Sequence, residues 1–214
     1  MLRARNPLLP VLLLVLIPAG AQASIPPAQN ATVPPCFSLV GTSAAGAPAD
    51  AAGRFTVVIR DLANFPLSGV SVVIDLSICS DLQICADQRD PAATVNCLAK
   101  TVRKFTAADG SASFTILGGS NGGSAIEEQG GGRVYANGAL MRAPTVSAFD
   151  LDGANGVGVN DLSVWLGDFG TVGNPAFGRS DFDCNGSVGV NDLSVWLGGF
   201  ASGAQVRSCA ASCP

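Results

Sequence analysis

Residues 150–169 read DLDGANGVGVNDLSVWLGDF and residues 181–200 read DFDCNGSVGVNDLSVWLGGF, a near-duplicate at an offset of 31 residues. Within it, residues 157–167 and 188–198 are identical. A repeated supersecondary unit must fold the same way twice, so it restricts this chain more than any other feature. Leu162, Trp165, Leu166 and Phe169, and likewise Leu193, Trp196, Leu197 and Phe200, fall at i, i+3, i+4 and i+7. That spacing predicts one apolar face of a short helix in each copy. Upstream, Ala143-Pro144-Thr145-Val146 and Asn174-Pro175-Ala176-Phe177-Gly178 offer no matching helix, so each unit reads as a loop followed by a helix.

Both loops carry oxygen-bearing side chains at alternate positions. In the second copy Asp181, Asp183 and Asn185 stand at positions 1, 3 and 5, Gly186 at 6, Ser187 at 7 and Asp192 at 12. This is the donor layout of an EF-hand calcium loop, with a carbonyl oxygen at 7 and a closing carboxylate at 12. Gly189 at position 9 leaves that vertex to water. The first copy offers Asp150, Asp152, the Gly156 carbonyl and Asp161, but Ala154 stands at position 5 and Asn155 where the glycine belongs. Asn tolerates the left-handed conformation of the turn, so the loop can still close. A slid register, in which Asn155 becomes a ligand, is the alternative. The expectation is two calcium ions, the second repeat holding its ion more tightly. Seven aspartates between Asp150 and Asp192 face one arginine, Arg179, and a divalent cation is the simplest relief of their repulsion.

The rest of the chain bounds where such a protein works. Residues 1–23 carry Arg3 and Arg5, an apolar run over 8–17 and then Ala21-Gln22-Ala23, the layout of a cleaved secretory signal. The run is shorter than the roughly 20 residues of a spanning helix, and no later segment is long and apolar enough. Removing the signal takes away two arginines and no acid, leaving a charge two more negative than the chain's −4. An acidic chain without a basic cluster is a poor nucleic-acid ligand. Seven cysteines in an exported chain suggest disulfides. Cys36, Cys79, Cys85 and Cys97 could form two bridges in the first half, and Cys209 or Cys213 could reach back to Cys184; the connectivity stays open. Histidine is absent, which removes the commonest general base and the triads built on it. The only glutamates, Glu127 and Glu128, are neighbours in a glycine-rich run and badly placed for a rigid glycosidase pair. No catalytic residue is assigned, and the chain reads as a non-enzyme.

Residues 36–145, after a linker at 24–35, read as all-β. Residues 54–60 and 69–76 are rich in β-branched side chains with turn residues between them. Ala108-Asp109-Gly110 and Asn137-Gly138 are hairpin signals, the second favouring a type I′ turn. The order "VVIRDLANFPLSGVSVVID", "TAADGSASFTI", "VYANG" resembles bacterial Ig-like domains of the invasin or carboxypeptidase-regulatory kind. The resemblance implies an Ig-like β-sandwich, hence a mainly β chain.

The paired loop-helix units at 148–203, followed by a Cys-containing tail at 204–214, resemble a type I dockerin. That resemblance implies a small all-α module of two half EF-hands, packed antiparallel with near two-fold symmetry. It implies calcium ligands at Asp150, Asp152, Gly156 and Asp161 and at Asp181, Asp183, Asn185, Ser187 and Asp192. It also implies docking to a cohesin-like protein partner through the helix surfaces and through Val159, Asn160, Val190 and Asn191, where dockerins usually carry Ser or Thr. Val164 and Val195 lie off the apolar stripe, available for an exposed contact or for packing between the helices. Three roles follow: a secreted docking protein, an extracellular structural or adhesive protein stiffened by calcium, or an accessory module in polysaccharide breakdown. The third has the least behind it, because both Trp belong to the helices and leave no sugar-stacking platform.

Overall fold

Alternation of apolar and polar residues over short β-branched stretches makes strands with one buried face. The computed structural model describes residues 25–40, 53–120, 131–154, 156–173, 178–201 and 213. Residues 1–23, expected to be a secretory signal, together with Glu127, Glu128, Asn155, Cys209 and most of the 204–214 tail, lie outside them. In chain order the elements are β1 (Cys36–Leu39), β2 (Phe55–Val58), β3 (Ser71–Asp75), β4 (Leu82–Ile84), β5 (Thr94–Asn96), β6 (Thr101–Phe105), β7 (Ser111–Phe114), β8 (Gly118–Ser120), β9 (Arg133–Ala136), β10 (Ala139–Arg142), β11 (Thr145–Ala148), α1 (Val159–Asp168) and α2 (Val190–Ala201).

One antiparallel sheet has the order β10-β9-β3-β6-β5. At its centre Ile74 of β3 stands opposite Val102 of β6 and Val134 of β9, and all three are buried. The intervening residues Ser71, Val73 and Asp75 are half-buried, so only one face of the sheet looks inward. Asn137 and Gly138 join β9 to β10 with φ of 47° and 83°, as a type I′ turn requires.

The remaining strands do not complete an Ig-like sandwich. They form three separate two-stranded pairs: β1 with β11, β2 with β7 and β4 with β8. The β1–β11 pair is parallel, with Cys36 opposite Thr145 and Leu39 opposite Ala148. Prolines set the limits of this pairing, since Pro34-Pro35 and Pro144 stand immediately before its two strands and cannot donate to a ladder. The Ala108-Asp109-Gly110 turn also behaves differently from a hairpin. It closes locally through Gly110 N–H to the Ala107 carbonyl, yet β6 goes on to pair with β3 and β5 while β7 pairs with β2. A turn signal fixes a reversal of direction and leaves the choice of partner to packing.

A separate all-α module at the C-terminus is likewise not what forms. Helices of 10 and 12 residues are too short to be stable alone, since isolated helices below about 12–15 residues are marginal. They bury Trp165 and Trp196 in one apolar cluster with Val40, Cys85, Leu117 and Phe149 from the β portion. Gly199 lets α2 sit directly on the Phe149 ring, where a Cβ would come within 2.6 Å of a ring carbon. The buried stripe is narrower than its spacing predicts. Trp165 and Trp196 are each 1% exposed, whereas Leu166 and Leu197 are 59% and 45% exposed. Phe169 and Phe200 are also exposed and cover their own Trp, with ring centroids 5.3 and 5.2 Å apart. Val195 packs against the shared cluster while Val164 stays on the surface.

Covalent ties cross between the halves as well. Cys36 is bonded to Cys184 and Cys97 to Cys213, over sequence separations of 148 and 116 residues. Cys85 is disulfide-bonded too. Two bridges among the four cysteines of the first half, or one from Cys184 back to the tail, are therefore not the arrangement found. A buried ion pair adds to the seam: Arg179 Nε and Nη2 each donate at 2.7 Å to the two oxygens of Asp81, and Nη1 donates at 2.6 Å to the Val146 carbonyl.

Candidate metal centres

The closing aspartates organise both loops. Each is the third residue of its helix, where the exposed N–H groups and the helix dipole favour a carboxylate. Asp161 Oδ1 accepts from the N–H of Leu151 at 2.6 Å and of Asp152 at 3.0 Å, and Oδ2 accepts from Gly158 at 2.6 Å. Asp192 repeats the pattern with Phe182 at 2.7 Å, Asp183 at 3.0 Å and Gly189 at 2.8 Å. Both side chains are fully buried. Each one clips the start of its loop to the start of its helix.

This clip brings the other acids in. Asp150, Asp152 and Asp161 converge with one oxygen each within 4.8 Å of the others, and so do Asp181, Asp183 and Asp192. Asp150 accepts from Gly153 N–H at 2.8 Å and Asp181 from Gly186 N–H at 2.9 Å. In the second loop Asn185 Oδ1 accepts the Ser187 N–H at 2.8 Å, and Asn185 Nδ2 donates to Asp183 at 2.8 Å. Residues 170–173 pair with this loop: Gly173 N–H bonds to the Gly186 carbonyl and Val188 N–H to that of Thr171. Among the described residues no backbone hydrogen bond uses the carbonyl of Ser187 or of Gly156, which leaves both oxygens for another partner. Asn155 lies outside the described residues, so the geometry bears only on the remaining ligands of the first loop.

The electrostatics are those of sites short of positive charge. Arg179 is spent on Asp81, and among the described residues no salt bridge reaches any of the six clustered aspartates. Burial, and then the neighbouring Asp161, raise the Asp150 carboxyl from 3.8 to about 7. Burial pushes Asp161 and Asp181 up as well. Asp181 Oδ1 is buried and accepts no hydrogen bond. A buried carboxylate oxygen without a partner is costly unless a cation or a proton meets it. The donors are all hard oxygens, three carboxylates in each cluster, and fit a hard divalent cation.

A pH dependence follows. Because the folded-state value of Asp150 lies above its ordinary one, the stability tied to its proton is complete below about 3.8 and is lost as pH rises through about 7. In chelator, the melting temperature is expected to fall across that window, and Asp150→Asn is expected to flatten the fall. A wild-type melting temperature that stays level in chelator across the window would contradict the assignment.

The four residues expected at a partner surface, Val159, Asn160, Val190 and Asn191, are all exposed at the two helix starts. The sequence reading missed the Asp161 and Asp192 hydrogen-bond sets and the bond from Trp196 Nε1 to the Phe149 carbonyl at 3.1 Å. A carboxylate three residues into a helix was the available signal for the first; nothing local announces the second. No known protein family, curated protein or solved structure matches the chain.

Proposed function

We propose that this is an exported, non-catalytic protein whose paired loop-helix repeats bind calcium and present the helix starts to a protein partner of the cohesin type. The observation that carries the reading is the double convergence of three carboxylates, each centred on a buried aspartate at a helix N-terminus. Calcium suits these loops better than magnesium because flexible backbone and mixed carboxylate and carbonyl oxygens accommodate six to eight ligands. Asp150, Asp152, Asp161 and the Gly156 carbonyl would hold one ion; Asp181, Asp183, Asn185, Asp192 and the Ser187 carbonyl the other. Bound calcium supplies the positive charge that the clusters lack, so binding and folding of this region are linked. Equivalent exposure of Val159-Asn160 and Val190-Asn191 supports a partner surface available from either repeat. Export agrees with the disulfides.

A second reading, calcium as a brace, has its own support. The helices share a core with the β portion, so metal binding would also stiffen the junction. Calorimetric titration with calcium separates the sites: Asp181→Ala is expected to remove the tighter event and Asp150→Ala the weaker one. Equal effects would overturn the ranking, and no uptake by wild type would overturn the calcium reading. Capture on an immobilised cohesin module, in calcium and not in chelator, decides between docking and bracing.

A further inference from the structure

Cys184 lies at the fourth position of the second loop, between the ligands Asp183 and Asn185, and it adopts φ of +62°. Its counterpart in the first loop is Gly153, with φ of +70°. Both loops therefore need a left-handed residue at this place. Glycine takes that conformation freely, while a residue with a Cβ resists it. In the second loop the resisting residue is held from outside, because Cys184 is bonded to Cys36 with Cα atoms 6.1 Å apart. Cys36 opens β1, whose pairing with β11 seats it in the β portion.

We infer that the Cys36–Cys184 disulfide is a redox control on the second calcium loop, keeping it in ligand-ready shape while oxidised. This rests on the calcium reading of that loop, which has a second support in the partnerless buried oxygen of Asp181. A dithiol reductant breaks the S–S bond. Two S–H groups form, one on each cysteine, and the reductant closes to its own disulfide, a transfer of two electrons and two protons. Released, Cys184 relaxes to an extended or right-handed backbone, and Asp183 and Asn185 turn away from Asp181 and Asp192. Both cysteines are half-buried, within reach of a small thiol, whereas the Cys97–Cys213 bridge has its Cys213 end buried in the main core. The first loop has glycine at this place and no cysteine, so no disulfide holds its left-handed residue.

Calcium titration of the full chain in the Asp150→Ala background, oxidised and then treated with dithiothreitol, tests this. Reduction is expected to weaken the second site about tenfold or more, since a left-handed residue costs on the order of the free energy of one such step. Cys36→Ser is expected to show the weaker binding without reductant, and Cys97→Ser is not. Cys184→Gly, which restores left-handed freedom without the bond, is expected to bind more tightly than Cys184→Ser and to ignore dithiothreitol. Equal affinity in the oxidised protein, the reduced protein and Cys36→Ser overturns the inference and leaves the calcium reading intact. Absence of calcium uptake by the oxidised wild type overturns both. If circular dichroism shows Cys36→Ser unfolded, the comparison of Cys184→Gly with Cys184→Ser decides.

Discussion

Replacing Arg179 by alanine is expected to destabilise the protein by about 3–5 kcal/mol, the usual cost of stranding one partner of a buried ion pair. Arg179 and Asp81 are each 6% exposed, and the fork-to-fork geometry uses both carboxylate oxygens. The third guanidinium nitrogen bonds to the Val146 carbonyl, and the Arg179 carbonyl accepts the Ala148 N–H. One side chain and its own backbone thus join the β4 region, β11 and the entry to the second loop. Urea unfolding of Arg179→Ala measures the loss. Arg179→Lys is expected to recover little, because an ammonium cannot reproduce the bidentate contact. The double change Arg179→Met with Asp81→Leu is expected to recover much more, since removing both charges also removes the desolvation penalty. A single Arg179→Ala change costing under about 1 kcal/mol would mean that water reaches Asp81.

Asp192→Ala is expected to remove the second calcium ion and, in chelator, to cost about 2–4 kcal/mol through the N–H groups of Phe182, Asp183 and Gly189 left without an acceptor. Asp183→Ala separates the two roles. Asp183 is exposed and its carboxylate accepts hydrogen bonds only from its loop neighbour Asn185 among the described residues, so its loss should weaken calcium binding with little change in metal-free stability. Urea midpoints in chelator and calcium titrations on both variants give the comparison. Equal stability losses for the two would show that the closing aspartate is a ligand and nothing more.

The contrast tracks what was legible in the sequence. Each acidic cluster is drawn from a window of 12 residues, so spacing alone placed Asp150, Asp152 and Asp161 together, and Asp181, Asp183 and Asp192. The helices were legible for the same reason. What depends on distant residues was not. Local alternation identified strands, but nothing in the composition of β1 says that it pairs in parallel with β11. Arg179 looked like the one counter-charge for the neighbouring acids, and its partner is Asp81, 98 residues earlier. Four apolar positions per helix suggested a broad buried face. Short helices laid on an existing core instead bury one Trp fully and leave Leu166, Phe169, Leu197 and Phe200 outside.

The parallel pairing of β1 with β11 also sets a timetable. Ser38 and Ser147, whose hydroxyls meet at 2.6 Å inside this pair, are 109 residues apart. A chain emerging in order from the ribosome presents Phe37 and Leu39 long before the strand that covers them exists. Contacts of such separation close late, after the loop entropy has been met. Cys36 waits longer still, with Cys79, Cys85 and Cys97 all appearing before its native partner at 184. A cysteine that emerges before those three is thus joined only after all of them have emerged, so oxidative folding of this protein calls for either delay or thiol exchange.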